Sequence, residues 1–237
     1  KIFVNIENPV NKIKTTILAS AVLTLAVTSN AIAIEQGDWL LHLRAINVSP
    51  NDDSSALNVA GSDVTGTGVE VDTGPSLDIS VGYMLTDNFA IELLADLSSK
   101  HTVSVNGLGG LDIPNGTDVV DTNVLPPTLF AQYHFNPKGK VRPYAGVGLN
   151  YTLFFNDDLT SAAQSALGAS NLDIDSSFGL AGQFGIDFEM KNDWSFNIDA
   201  KYIQIDTDAS FDSALGPVKV GIDINPWVLG IGFGRTF

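Results

Sequence analysis

The chain has 237 residues, 44% of them hydrophobic and only 16% charged, with 22 glycines. Charge this sparse, against roughly 25% in ordinary soluble domains, points to extended faces that avoid charge without forming long apolar runs. A net charge of −15 argues against a nucleic-acid partner held through its phosphates, and the absence of cysteine removes disulfide frameworks and thiolate metal sites.

The most apolar run, Ile17 to Val27, is far shorter than the roughly 20 residues a membrane helix needs. Lys12 and Lys14 precede it, and Ala31 and Ala33 supply an A-x-A pattern after it, so residues 1–33 read as a secretory signal peptide and residues 34–237 as the exported domain. Setting aside Lys1, Glu7, Lys12 and Lys14 leaves 26 acidic residues against 9 basic ones from Ile34 onward.

From Gly37 the sequence follows a two-residue period, the mark of strands with two unlike faces. Asp38 to Val48 sets Trp39, Leu41 and Leu43 against Leu40, His42, Arg44 and Ile46. Pro75 to Leu85 alternates Leu77, Ile79, Val81 and Tyr83 with Asp78, Ser80 and Gly82. Phe89 to Ser98 alternates Phe89, Ile91 and Leu93 with Glu92, Leu94 and Asp96. Thr128 to Phe135 and Val141 to Thr152 follow, the latter placing Arg142, Tyr144, Gly146, Gly148 and Asn150 on one face. Ser177 to Met190, Trp194 to Tyr202 and Trp227 to Phe237 complete eight strands, an even number that suits a closed antiparallel barrel.

Short turns follow the second, fourth and sixth strands. Long polar segments follow the first, third and fifth, at Ser49 to Thr73, Ser99 to Asn123 and Asn156 to Asp175. Tight turns on one side and long loops on the other are the pattern of an outer-membrane barrel. Within the last segment, DDLTSAAQSALGAS predicts a short helix ended by Gly168. Trp39, Tyr83, Phe89, Tyr133, Phe135, Phe188, Trp194 and Phe233 gather near the short turns and the chain end, as an interfacial girdle does, so the apolar face is assigned to lipid.

Pro126 and Pro127 open the fourth strand although neither can donate to a ladder. The seam toward the third or the fifth strand should therefore be locally unzipped, either as a plain strand start or as a side window in the wall.

Six blocks, GYMLTDNFAIELLA, LPPTLFAQYHF, VRPYAGVGLNYTLFF, FGLAGQFGIDF, NDWSFNIDAKYIQIDT and INPWVLGIGFGRTF, resemble in content and order those of the OmpW family of outer-membrane proteins. The resemblance covers the exported chain. It implies an all-β, eight-stranded antiparallel transmembrane β-barrel whose apolar passage admits small hydrophobic molecules, some relatives assisting alkane uptake. Lys201 stands where family members often carry a bulky aromatic, and Arg235 occupies the third position from the end, usually apolar or aromatic. Phe237 keeps the terminal aromatic that barrel-assembly machinery reads.

Parity assigns Leu40, Ile46, Leu94, Phe130 and Tyr144 to a ligand path inside the barrel, and Arg44, Glu92, Asp199 and Lys201 to a charge network closing its lower half. Gly146, Gly148, Gly232 and Gly234 fall on the inward parity, where small residues relieve crowding. His42, His101 and His134 lie on separate segments without metal-ligand spacing, and the acidic runs at Asn51 to Asp53 and Asn156 to Asp158 lack an EF-hand pattern. No catalytic constellation emerges, and neither cofactor nor metal is expected. The sequence favours passive passage of small hydrophobic solutes by a barrel set in outer-membrane lipid and lipopolysaccharide, with lateral exit at Pro126 and Pro127. The competing reading is a barrel that anchors the envelope or docks phage or toxins without transport.

Overall fold

The computed structural model describes residues 33–97 and 99–237; the signal-peptide reading falls outside them. Eight wall strands follow in order: β1 (Trp39–Ser49), β2 (Gly74–Met84), β3 (Phe89–Asp96), β4 (Thr128–His134), β5 (Val141–Leu159), β6 (Ser177–Glu189), β7 (Trp194–Ile203) and β8 (Trp227–Thr236). Each pairs antiparallel with its neighbour, and β8 returns to β1 from Thr236 beside Leu40 to Trp227 beside Ser49. Closure leaves no open edge, which is what permits strands to cross lipid. No described helix is long and apolar enough to do so.

The two-residue period becomes an inside and an outside. Along β1, Leu40, His42, Arg44, Ile46 and Val48 are buried while Trp39 and Leu43 are about half exposed. The outward apolar surface faces lipid, so its exposure to water in isolation is no defect. Near the short turns, rings touch across strands: Trp39 with Tyr83 at 4.9 Å, Phe89 with Tyr133 at 4.9 Å, and Phe196 with Phe233 at 5.8 Å between centroids. Tyr202 and Trp227, 5.3 Å apart, mark the other rim. From Trp194 to Tyr202, β7 climbs about 26 Å at ~3.3 Å per residue. At a tilt of about 40° that is about 20 Å of membrane height, close to the apolar band of an outer-membrane barrel.

The three segments read from sequence as polar loops are largely strands. Gly68–Val71, Ser99–Asn106 and Thr117–Leu125 extend the wall sheet above β5. The stretch between β7 and β8, to which the sequence reading gave no element, forms a hairpin of Asp206–Ser213 and Gly216–Asp223. With Ser170–Ile174, Asn58–Val59 and Ser62–Asp63 it makes a second sheet. Their apolar faces share a core that includes Leu57, Val69, Val105, Val120, Val220 and Ile222. Alternation drives this too, but the residues cover each other instead of meeting lipid. The short helix α1 (Ser161–Leu167) forms as the sequence implies: Thr160 Oγ1 accepts the Ala163 N–H at 3.2 Å, and Gly168 ends it at φ +62°.

At the opposite end the chain before β1 is tied to the turns. Ile34 N–H donates to the Pro137 carbonyl at 3.0 Å and Gln36 N–H to Asp87 Oδ1 at 3.2 Å. The Gln36 backbone N–H, and with it Lys138, holds the Asp87 carboxyl below its ordinary pKa. Ile34 is thereby buried in a small cluster with Leu40, Met84 and Ala90 that stoppers the barrel base.

Candidate functional site

Across the middle of the lumen the inward residues of five strands meet in an ion-pair layer. Arg44 Nε of β1 lies 2.7 Å from Asp78 Oδ1 of β2 and 3.5 Å from Asp199 Oδ2 of β7; its Nη2 lies 3.5 Å from Glu92 Oε1 of β3 and donates to Ser80 Oγ at 2.9 Å. Lys201 Nζ of β7 reaches Asp78 Oδ2 at 2.9 Å and ion-pairs Asp199 as well. Gln183 Nε2 of β6 donates to Glu92 Oε2 at 3.3 Å. Two cations thus hold three carboxylates, all essentially buried. Below them Asp187 receives Asn197 Nδ2 at 3.0 Å and Ser195 Oγ at 3.2 Å and lies 3.1 Å from His42 Nε2; Asn197 Nδ2 also donates to Tyr144 Oη at 3.1 Å.

Glycines on β8 make room for this layer. A Cβ at Gly230 would run into Asp199 Oδ1, one at Gly232 into the Leu43 carbonyl, and one at Gly234 would stand 2.6 Å from Ser195 Oγ. An eight-stranded barrel is just wide enough for side chains to fill it, and the inward side chains at this level are buried.

Above the layer the character inverts. An apolar chamber, narrow and in part open to solvent, has Asp78 and Lys201 at its floor and walls of Ile46, Leu94, Ile203, Ile205 and Val228. Val103 and Ile222 in its wall also belong to the apolar core of the extracellular sheets, with Ile174 packed against it. Among the described residues, no group of three or more His, Asp or Glu side chains is disposed to hold a metal.

The chamber abuts a break in the wall. Toward β5 the fourth strand is continuous past the prolines: Leu125 pairs with Leu153, the Tyr151 N–H donates to the Pro127 carbonyl at 3.0 Å, and Thr128 pairs with Asn150. Toward β3 the described pairing runs to Thr128 beside Leu94 and is next seen at Val124 beside Ser99, one register step out of phase. Among the described residues, Pro126 and Pro127 have no ladder partner on that side. Pro126, Val124 and Asp96 line the chamber at this point. The Pro126 carbonyl accepts from Thr128 Oγ1 at 3.0 Å, and Asn150 Nδ2 donates to that hydroxyl at 2.9 Å, so this carbonyl is satisfied from within.

The sequence model of the OmpW family matches residues 35–237. The chain belongs to the OmpW family. Outer membrane protein W of Vibrio cholerae is 34% identical over 227 residues, covering 94% of this chain and all of that protein. The crystal structure of the outer membrane protein OprG from Pseudomonas aeruginosa superposes with a TM-score of 0.81 at 34% identity, covering 86% of this chain and 98% of that one. The dibenzothiophene metabolism operon protein PahQ of Pseudomonas aeruginosa is 26% identical, covering 86% of this chain and 90% of its own. These likenesses and the barrel place the chain in the bacterial outer membrane.

Within this OmpW-family barrel, Arg44, Glu92, Asp199 and Lys201 come together as one network. Asp78, which the sequence reading left out of it, bridges both cations. Its inward parity in β2, two places from Ser80, was the available signal. Ile46, Leu94 and Phe130 share the cluster above the floor. Leu40 and Tyr144 do not join them: Leu40 belongs to the basal stopper and Tyr144, stacked on His134 at 5.4 Å, to the polar layer. Parity places a residue inside but says nothing of height. His101, also at the chamber wall, has Nδ1 3.2 Å from Asp72 Oδ1. Phe237 closes the barrel end, its backbone exchanging hydrogen bonds with Trp39 at 2.9 and 3.1 Å.

Proposed function

We propose that this barrel gives passive passage to small, largely apolar molecules, which descend from the extracellular sheets into the chamber and leave sideways between β3 and β4 into the bilayer. The observation that carries the reading is the conjunction of an apolar chamber, a floor of buried ion pairs beneath it, and an interrupted ladder in its wall. An apolar solute gains roughly 25 cal/mol per Å² of surface it buries in the chamber. It gains nothing by entering the layer below, where it would have to separate Arg44 and Lys201 from their carboxylates. The relative named for a dibenzothiophene metabolism operon fits a solute of this class.

The test restores the donor missing on the β3 side. Replacing Pro126 with Thr should slow uptake of a limiting apolar substrate several-fold while the barrel keeps its heat-modifiable mobility; unaltered uptake in the folded variant removes the side exit. Equal uptake by cells with and without the protein removes transport altogether. That result would favour the docking role, for which the separately cored extracellular sheets offer a rigid acidic surface, with lipopolysaccharide as their neighbour and Phe237 serving only barrel assembly.

A further inference from the structure

Arg235 is the arginine that the lumen does not absorb. It lies on the outward side of β8, between Leu41 of β1 and Trp194 of β7, at the rim carrying the short turns. Its guanidinium carbon stands 5.7 Å from the centroid of the Trp194 ring and 4.8 Å from that of Phe237. Two rings therefore hold the group in place. Among the described residues it makes no ion pair and no side-chain hydrogen bond, whereas Arg44 and Lys201 are paired inside the barrel and Lys100 and Lys138 outside it.

An unpaired guanidinium on a lipid-facing wall is tolerated only where headgroups begin. There, its five N–H donors need acceptors that neither acyl chains nor aromatic rings supply. A planar fork of N–H groups matches two oxygens of a phosphate and binds them bidentately. We propose that Arg235, seated on Trp194 and Phe237, forms a binding site for the phosphate of a glycerophospholipid in the periplasmic leaflet. The rings pack on the glycerol and first acyl carbons while the guanidinium takes the phosphate oxygens. The site fixes the depth at which the closing strand sits in the membrane.

The chain contains three arginines, and the other two, Arg44 and Arg142, are buried in the lumen. Carbon-13 labelling of arginine Cζ is therefore nearly a single-site probe. In liposomes of phosphatidylethanolamine and phosphatidylglycerol prepared without phosphate buffer, phosphorus-31 should dephase the signal of one arginine in three, and Arg235→Gln should abolish that dephasing. Absence of dephasing in the native chain overturns the proposal, whether or not the variant folds, and so does dephasing that survives in Arg235→Gln. Equal dephasing in phospholipid-free detergent micelles supplied with inorganic phosphate would replace the lipid site with a free-anion site.

Discussion

Removing the ammonium of Lys201 while keeping its length, as Lys201→Met does, leaves Arg44 alone among Asp78, Glu92 and Asp199. Lys201 is fully buried and lies 2.9 Å from Asp78. At an effective dielectric of about 20, one such pair attracts by about 6 kcal/mol, much of which offsets the desolvation of both groups. Deleting one partner forfeits the attraction but not the cost of holding the carboxylates out of water, so a loss of about 3–5 kcal/mol is expected. Urea unfolding in phosphatidylcholine bilayers, followed by tryptophan fluorescence, measures it. Adding Asp199→Asn restores the original charge difference of the layer, and the double variant should recover at least half the loss. A single-variant cost below about 1 kcal/mol, or a double variant whose cost equals the sum of the two singles, would refute the view that these groups act as one network.

Two further perturbations test other parts of the wall. Gly230→Ala drives a methyl into Asp199 and should lower the heat-modification midpoint, at a cost of about 1–3 kcal/mol, whereas Gly182→Ala on β6, with open space around it, should be neutral or slightly stabilising; matching midpoints would contradict the packing of β8 against the ion-pair layer. In the extracellular sheet, the Thr102 hydroxyl at 2.8 Å and Lys100 at 3.2 Å hold the Asp121 carboxyl below its ordinary pKa. A depressed carboxylate contributes stability above its unfolded pKa that is lost as pH falls through the folded one. Asp121→Asn should therefore speed amide exchange in Ser99–Asn106 and Thr117–Leu125 at neutral pH, the difference fading in acid. Identical neutral exchange would discount the contact.

The wall was legible because lipid enforces one rule on every strand. Each outward position between the girdles must be apolar, so parity alone sorted Arg44, Glu92, Asn197 and Lys201 to the inside, where all are buried. Above the rim that rule lapses. GVEV, TVSV and VKVGI alternate as clearly as the wall strands do. Yet their partners are distant, with Val218 beside Val59 and Gly68 beside Asn106, and the polar residues between them resemble loop. Nothing local says that such a strand has a sheet to join. The site was partly readable for the same reason. The identities of its charged members follow from parity, but their heights follow from register and barrel shear, which separate Leu40 and Tyr144 from Ile46, Leu94 and Phe130.

The two prolines gain meaning from that vertical order. A break in a ladder low in the wall would open onto Arg44, Lys201 and their carboxylates, and exposing those to lipid costs several kcal/mol per charge. The same break above the layer meets Leu94, Val124, Pro126 and Asp96, whose carboxylate accepts from the Ser76 hydroxyl. The Pro126 carbonyl beside the break accepts from the Thr128 hydroxyl, which Asn150 reaches from inside. Under the proposed lateral exit, an interruption above the ion pairs rather than among them keeps Arg44 and Lys201 out of lipid.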